Sequence, residues 1–238
     1  VSETVRARII DAALRLLDDG GPEAMSTRAV SAAAGVQAPT LYRLFRDKQG
    51  LLDAVTEHRF DEYLADKTDR PRAENPVEDL RRGFDLHVGF GLANPAVYVA
   101  VYGGAPRPDG PAPAVLRAEQ VLLAMMRRVA AAGRLRVDET TAAHVLHAAG
   151  RGTTLLLIST PPDERDLRLP EIAREAVIAA ITTAAPAASG GSAAPGEPAA
   201  EPLAVAARTI RAALPDVGAL SPAEKDLLAE WLDRLTPP

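Results

Sequence analysis

A helix-breaking glycine between two short helical stretches, four residues after a small side chain, restricts this chain more than any other pattern in it. The glycine is Gly35 and the small residue is Ser31, within Ser26 to Lys48, STRAVSAAAGVQAPTLYRLFRDK. Two helices that cross near a right angle need a turn residue tolerant of positive φ and a small side chain where they touch. Core positions fall around the turn at Val30, Ala34, Val36, Leu41 and Leu44. On the second helix Leu41, Leu44 and Phe45 recur at three and four residues, which turns Gln37, Ala38, Pro39, Tyr42, Arg43 and Arg46 outward. Pro39 is acceptable because its missing amide hydrogen costs little in a first turn. The spacing predicts a helix-turn-helix.

Its charge gives the corner a purpose. Between Ser26 and Lys48, Arg28, Arg43, Arg46 and Lys48 stand against one acid, Asp47, a local charge of +3 in a chain of net charge -5. Phosphate is held by Arg, Lys, Ser, Thr and Tyr side chains and by helix N-termini, all present here. Base reading falls to the exposed start of the second helix in a major groove, through Gln37, Ala38, Thr40 and Arg43. An ordinary helical corner would not need donors on its outer face.

The run Ala34 to Val55, AGVQAPTLYRLFRDKQGLLDAV, after a first helix near Val5 to Asp18, resembles the DNA-binding domain of the TetR family of bacterial transcriptional regulators. Thr40, Leu41, Tyr42, Phe45 and Lys48 carry the resemblance, which covers about the first 60 residues. It implies phosphate contacts from Thr27, Tyr42 and Lys48, with Arg28 and Pro39 on the same surface. Where the family often has serine, this chain has Gln37, whose amide suits adenine but which caps a helix less well. The resemblance further implies a homodimer on a near-palindromic double-stranded operator, released by a small-molecule effector. A regulator without an effector is the alternative, and less favoured is a helical binding protein or enzyme using His87, His144 or His147 as acid or base.

At 238 residues, 25% charged and 47% hydrophobic, the chain has the composition of a globular protein. With no cysteine it has no thiol chemistry, disulfide or zinc-thiolate site. The start, VSETVRARII, lacks signal-peptide character, and the longest aliphatic stretch, near Leu155 to Ile158, is too short for a membrane span, so a cytoplasmic protein without a membrane partner is expected. No cofactor and no enzymatic activity are expected.

No segment alternates with period two, so the expected fold is all-α: a three-helix helix-turn-helix domain at 1–47, then a larger helical ligand-binding and dimerisation domain at 48–184. Gly20-Gly21-Pro22 should end the first helix, and further helices are expected near Lys48 to Ala65, Val77 to Ala93, Pro95 to Tyr102, Ala114 to Ala132, Glu139 to Ser159 with Asp138 as N-cap, and Pro170 to Thr183. Residues 185–202, rich in Ala, Pro, Gly, Ser and Glu, read as a flexible linker. A helical tail at 203–238 follows, with capping-box spacing at Ser221 to Glu224 and Trp231 as the expected anchor.

Four of the nine aromatic residues, Phe84, Phe90, Tyr98 and Tyr102, share a short window with His87. Phe84, His87, Val88 and Gly91 lie on one helix face, with Phe90 to the side. Later, His144, His147, Arg151 and Thr154 form a polar stripe. With Met125 these are the candidate ligand residues, as aromatic walls with a few polar anchors suit a small molecule, although core packing explains the rings as well. A metal site from His87, His144 and His147 is disfavoured, because no carboxylate shares their stripe. Small residues at Ala148, Ala149, Gly150 and Gly152, and at Ala173, Ala176, Ala179 and Ala180, permit close helix contact, and the resemblance puts the dimer interface on those two helices.

Overall fold

A computed structural model describes residues 2–68, 71–103, 110–183 and 200–236. Its helices are α1 (Ser2–Ala24), α2 (Thr27–Ala34), α3 (Ala38–Phe45), α4 (Lys48–Thr68), α5 (Pro76–Ala93), α6 (Pro95–Tyr102), α7 (Pro113–Ala131), α8 (Glu139–Ser159), α9 (Leu169–Ile181), α10 (Ala200–Ala213) and α11 (Pro222–Arg234). Among the described residues there is no strand, only an isolated antiparallel bridge between Leu135 and Thr182, and no helix is long and apolar enough to cross a membrane. The all-α expectation therefore holds. Of the stretch read as a linker, 185–199 lies outside the described residues, and α10 already begins at Ala200.

The chain divides into two compact units. The first takes its described residues from 1–70, 85–119 and 151–167, the second from 71–84, 120–150 and 168–238. In the first unit α1 packs on α2, α4 and α6, while α3 lies against α2 and α4. Ile9, Leu17, Met25, Val30, Leu41, Leu51 and Val55 are fully buried there. Each such side chain contributes about 1.5–3 kcal/mol relative to exposure. Gly21, at φ 68 and ψ -170, breaks α1 where the Gly-Gly-Pro run predicts a stop, and one more turn follows to Ala24.

In the second unit the turn after α7 is clasped to the end of α9. Arg136 N donates to the Ile181 carbonyl and Thr183 N to the Arg134 carbonyl, while Arg134 and Arg136 donate through Nε to the Thr183 and Thr182 carbonyls. These bonds satisfy carbonyls at a helix end that has none of its own left to pair with. Arg81 joins Glu175 on α9 through both Nε and Nη2, and Arg128 pairs with Asp79. Asp138 Oδ1 accepts from Thr141 N at 2.9 Å, the N-cap expected for α8.

The tail docks on the same subunit, a choice the sequence leaves open. Arg208 of α10 donates to the Leu135 carbonyl, Ala207 and Leu214 are buried, and α10 packs on α11. Ser221 and Glu224 form the expected capping box. Trp231 is not the anchor. It is 52% exposed while its neighbour Leu232 is buried, because one residue along a helix is a rotation of about 100° and only one of the two can face α10.

Trp231 is the sole indole, so its emission should be that of a hydrated ring and readily quenched by acrylamide in the folded protein; shielded, blue-shifted emission would contradict this docking. Gly35→Ala should lower stability by about 1–2 kcal/mol, the cost of a Cβ in the left-handed region, read from denaturant unfolding, with no change for Gly89→Ala as an open-site helix control beyond its helix-propensity gain.

Candidate DNA interface and a ring cluster

The corner is built by its caps. Ser26 Oγ accepts from Ala29 N at 3.1 Å and starts α2. Gly35, at φ 63 and ψ 40, ends it, with Gly35 N donating to the Ala32 carbonyl and Val36 N to the Ser31 carbonyl, a Schellman arrangement that requires the left-handed glycine. Ser31 is buried, as its small size at the crossing requires. Leu41 and Phe45 bury the inner face of α3, and Leu44 is half-buried.

The outer face stays open. Gln37, Ala38, Pro39, Tyr42, Arg43 and Lys48 are exposed, Tyr42 at 50%, with Arg28 exposed and Thr27 and Thr40 half-buried. Gln37 occupies the N-cap position of α3 with extended backbone, but its side chain makes no capping bond. The amide therefore remains available for an outside partner. Arg46, at φ 67 and ψ -58, turns the chain tightly, with Asp47 N donating to the Phe45 carbonyl at 2.8 Å. Asp47 then caps α4, its Oδ1 accepting from Gly50 N at 2.7 Å. The one acid of the basic segment thus serves the backbone.

Within the same unit, six rings converge from three helices: Phe60 and Tyr63 on α4, His87 and Phe90 on α5, Tyr98 and Tyr102 on α6. Phe90 meets Phe60 at 4.8 Å and Tyr63 at 4.9 Å, and Tyr98 meets Tyr102 at 4.7 Å, geometries that favour edge and tilted contacts. His87 Nε2 and the Tyr98 hydroxyl share a hydrogen bond of 2.7 Å, and His87 Nδ1 lies 3.5 Å from the Tyr63 hydroxyl. Phe90 lies to the side of the face that carries Gly91, and α4 packs against that side, so the ring joins the cluster through Phe60 and Tyr63. At Gly91 an added Cβ would fall 2.2 Å from Thr154 and 2.8 Å from Tyr98, so α5, α6 and α8 meet there almost backbone to side chain.

Arg151 of α8 donates through Nη2 to the Tyr102 carbonyl at the end of α6 and stands 5.7 Å over the Tyr102 ring. Arg117 of α7 bonds Glu57 and Asp61 of α4 at 2.9 and 3.1 Å. Of the remaining candidate ligand residues, Phe84 is buried, Met125 and His147 are half-buried and His144 is exposed, and all four belong to the second unit. Phe60 and Tyr63 were not among the candidate ligand residues, although their spacing of three on a helix was the available signal. Among the described residues no three His, Asp or Glu side chains group to hold a metal.

Burial governs the phenols. It pushes Tyr98 up to about 12, against the lowering effects of a Thr154 hydrogen bond and the Arg151 charge. Burial also raises Tyr63, with Tyr98 adding to it, and raises Tyr102, helped by Tyr98, Tyr63 and Glu119 and opposed by Arg151.

Comparison with known proteins agrees with this geometry. The family description "Bacterial regulatory proteins, tetR family" matches residues 9–55. The chain is similar to the HTH-type transcriptional repressor KstR of Rhodococcus jostii (strain RHA1), at 40% identity over 76 residues, 32% of this chain and 35% of that protein. It is also similar to the class C tetracycline repressor protein of Escherichia coli, at 46% identity over 52 residues, 22% of this chain and 24% of that one. The matches thus span 24–35% of the length of these relatives. Among solved structures, a TetR variant from Acinetobacter baumannii AYE in complex with minocycline superposes with a TM-score of 0.55 at 20% identity, covering 72% of this chain and 93% of the other.

The phenols allow a direct test. Their folded pKa values lie above the unfolded value of about 10, so the stability they contribute is complete below that pH and is lost as the pH climbs through about 12. A tyrosinate absorbance titration should show Tyr63, Tyr98 and Tyr102 ionising together with loss of helix. Ordinary ionisation of all four tyrosines in a fully helical protein would refute the buried cluster.

Proposed function

We propose that this chain, whose residues 9–55 match the tetR family of bacterial regulatory proteins, is a TetR-family regulator and a ligand-responsive transcriptional repressor. The exposed surface of α3, with the starts of α2 and α4, supports the reading: Gln37 makes no capping bond and Arg43 is exposed, and Tyr42, Lys48, Thr27 and Arg28 are the proposed phosphate contacts. In this reading 1–47 is the DNA-binding domain, 48–184 the ligand-binding and dimerisation domain, and 203–238 an accessory tail, and the protein acts in the cytoplasm without enzymatic activity. Gln37 and Arg43 read base edges, Ala38, Pro39 and Thr40 line the groove, and the cations and hydroxyls set the register.

The dimer forms through α8 and α9. Leu156 on α8 and Ile172 on α9 are 54% and 60% exposed, and Val145, Ala148, Gly152, Ala176, Ala179 and Ala180 are exposed with them. Apolar positions left open at helical spacing favour a covering partner helix. A homodimer places two recognition helices in successive major grooves of a near-palindromic operator.

Coupling runs through α6. That helix touches α1 of the DNA-binding domain and α4, and supplies Tyr98 and Tyr102 to the ring cluster, so a ligand that reorders the rings moves α6 against α1. A ligand releases DNA only by binding the DNA-incompetent state better, at about 1.4 kcal/mol for each tenfold preference. His87 is a weaker candidate for acid-base catalysis, because both ring nitrogens already face tyrosine hydroxyls.

The operator is accessible by selection of bound duplexes from a random pool. Tyr42→Ala and Lys48→Ala should weaken binding to every sequence, with Lys48→Ala lowering the salt slope by about 1. Gln37→Ala and Arg43→Ala should change which sequences are selected. Unchanged affinity in the first pair together with unchanged preference in the second would remove α3 as the reading helix.

A further inference from the structure

The arginines that join elements of the first unit fall into two kinds, those that face carboxylates and those, such as Arg6 over the Phe45 ring and Arg165 on the Thr160 carbonyl, that do not. Arg117 faces two carboxylates, and Arg59 lies 3.7 Å from Asp18. Arg151 instead gives one donor to a neutral carbonyl, that of Tyr102, and rests over the same residue's ring. A guanidinium carries five donors in a planar fork matched to a carboxylate, so a single bond to a neutral oxygen leaves most of that capacity unfilled. The Tyr102 ring under it leads into the ring cluster, where Tyr102 meets Tyr98 at 4.7 Å, Tyr98 bonds His87, and Phe90 packs on Phe60 and Tyr63. The positive field of Arg151 reaches the phenols of Tyr98 and Tyr102, lowering both against burial.

The carbonyl that Arg151 holds is at the C-terminal end of α6, where the helix dipole is negative and a cation stabilises it. Arg151 therefore fastens the helix that also touches α1. A carboxylate would bind the guanidinium more strongly than a carbonyl does, by a bidentate, charge-assisted pair. Taking Arg151 away would unfasten the end of α6.

We propose that the effector is a small carboxylic acid with an apolar body of about one ring, and that its carboxylate takes Arg151 from the Tyr102 carbonyl while its body replaces ring contacts around Tyr98 and Phe90. This rests on the ligand-responsive repressor reading above. It names the chemical class that reading leaves open, and it makes Arg151 both the recognition residue and the release point.

The test uses the full chain, a duplex selected from a random pool, and matched carboxylate and primary-amide pairs: phenylacetate, 3-phenylpropanoate and 1-naphthylacetate with their amides. Release is read by anisotropy of the labelled duplex and binding by the shift in Tm. At least one acid should release the duplex at a tenfold or lower concentration than its amide. Arg151→Gln should abolish that gap, bringing acid and amide to equal potency, and should weaken duplex binding severalfold without any ligand, because α6 loses its fastening. Arg151→Lys, which keeps charge without the fork, should restore part of the gap. The acid-amide comparison on the unmodified protein stands even where a variant folds poorly. Equal potency of acid and amide, a gap that survives in Arg151→Gln, or a panel in which no acid acts overturns the inference. If amides release the duplex where acids do not, the repressor reading survives without it; failure of every selected duplex to bind defeats that reading itself.

Discussion

An eight-residue helix has few ways to hold a position, and α6 uses nearly all of them. Asn94-Pro95 starts it, the Tyr98 hydroxyl ties one face to His87, Arg151 holds its last carbonyl, and Gly91 lets α5 approach without a side chain between. Alone such a segment would not be helical in water, since nucleation is unfavourable and too few bonds follow it. Its conformation is thus a property of the neighbours. This makes α6 a sensitive element, because a change at any fastening reaches α1 through a short, packed path.

The N-terminal helix-turn-helix was largely legible in the sequence because local rules decide it. Gly35, the inward Leu41 and Phe45 and the first-turn Pro39 each act over four residues or fewer, and the structure uses each as its spacing demands. The Asp138 cap and the capping box at Ser221 were legible for the same reason. Local rules fail where the partner is distant. Helical spacing turned Phe90 to the side of α5 without saying that Phe60 would meet it there, because the position of α4 is not written in α5.

Trp231 teaches the same point from the other side. Size makes it the natural anchor of the tail, yet the stripe on α11 is wide enough that rotation decides which member turns inward, and Leu232 does. The clasp between the turn after α7 and the end of α9 is made of backbone carbonyls and arginine Nε atoms almost 50 residues apart. Such bonds have no residue-type signature, since every residue carries a carbonyl. Arg208 adds a third instance, and the tail's place on the body follows from it.

Asp47 sets a limit on engineering by electrostatic arithmetic. An optimiser that scores surface charge would remove the single carboxylate of the basic segment Ser26 to Lys48 and count a more cationic head as a tighter binder of polyanions. The carboxylate, however, is closing the first turn of α4 through Gly50 N, immediately after the turn at Arg46. Its loss would loosen the support on which α3 is carried, at about 1 kcal/mol for a lost cap, and the added attraction would act on a recognition surface less well held. At that position the charge that lowers attraction to a polyanion is the same charge that closes the helix turn.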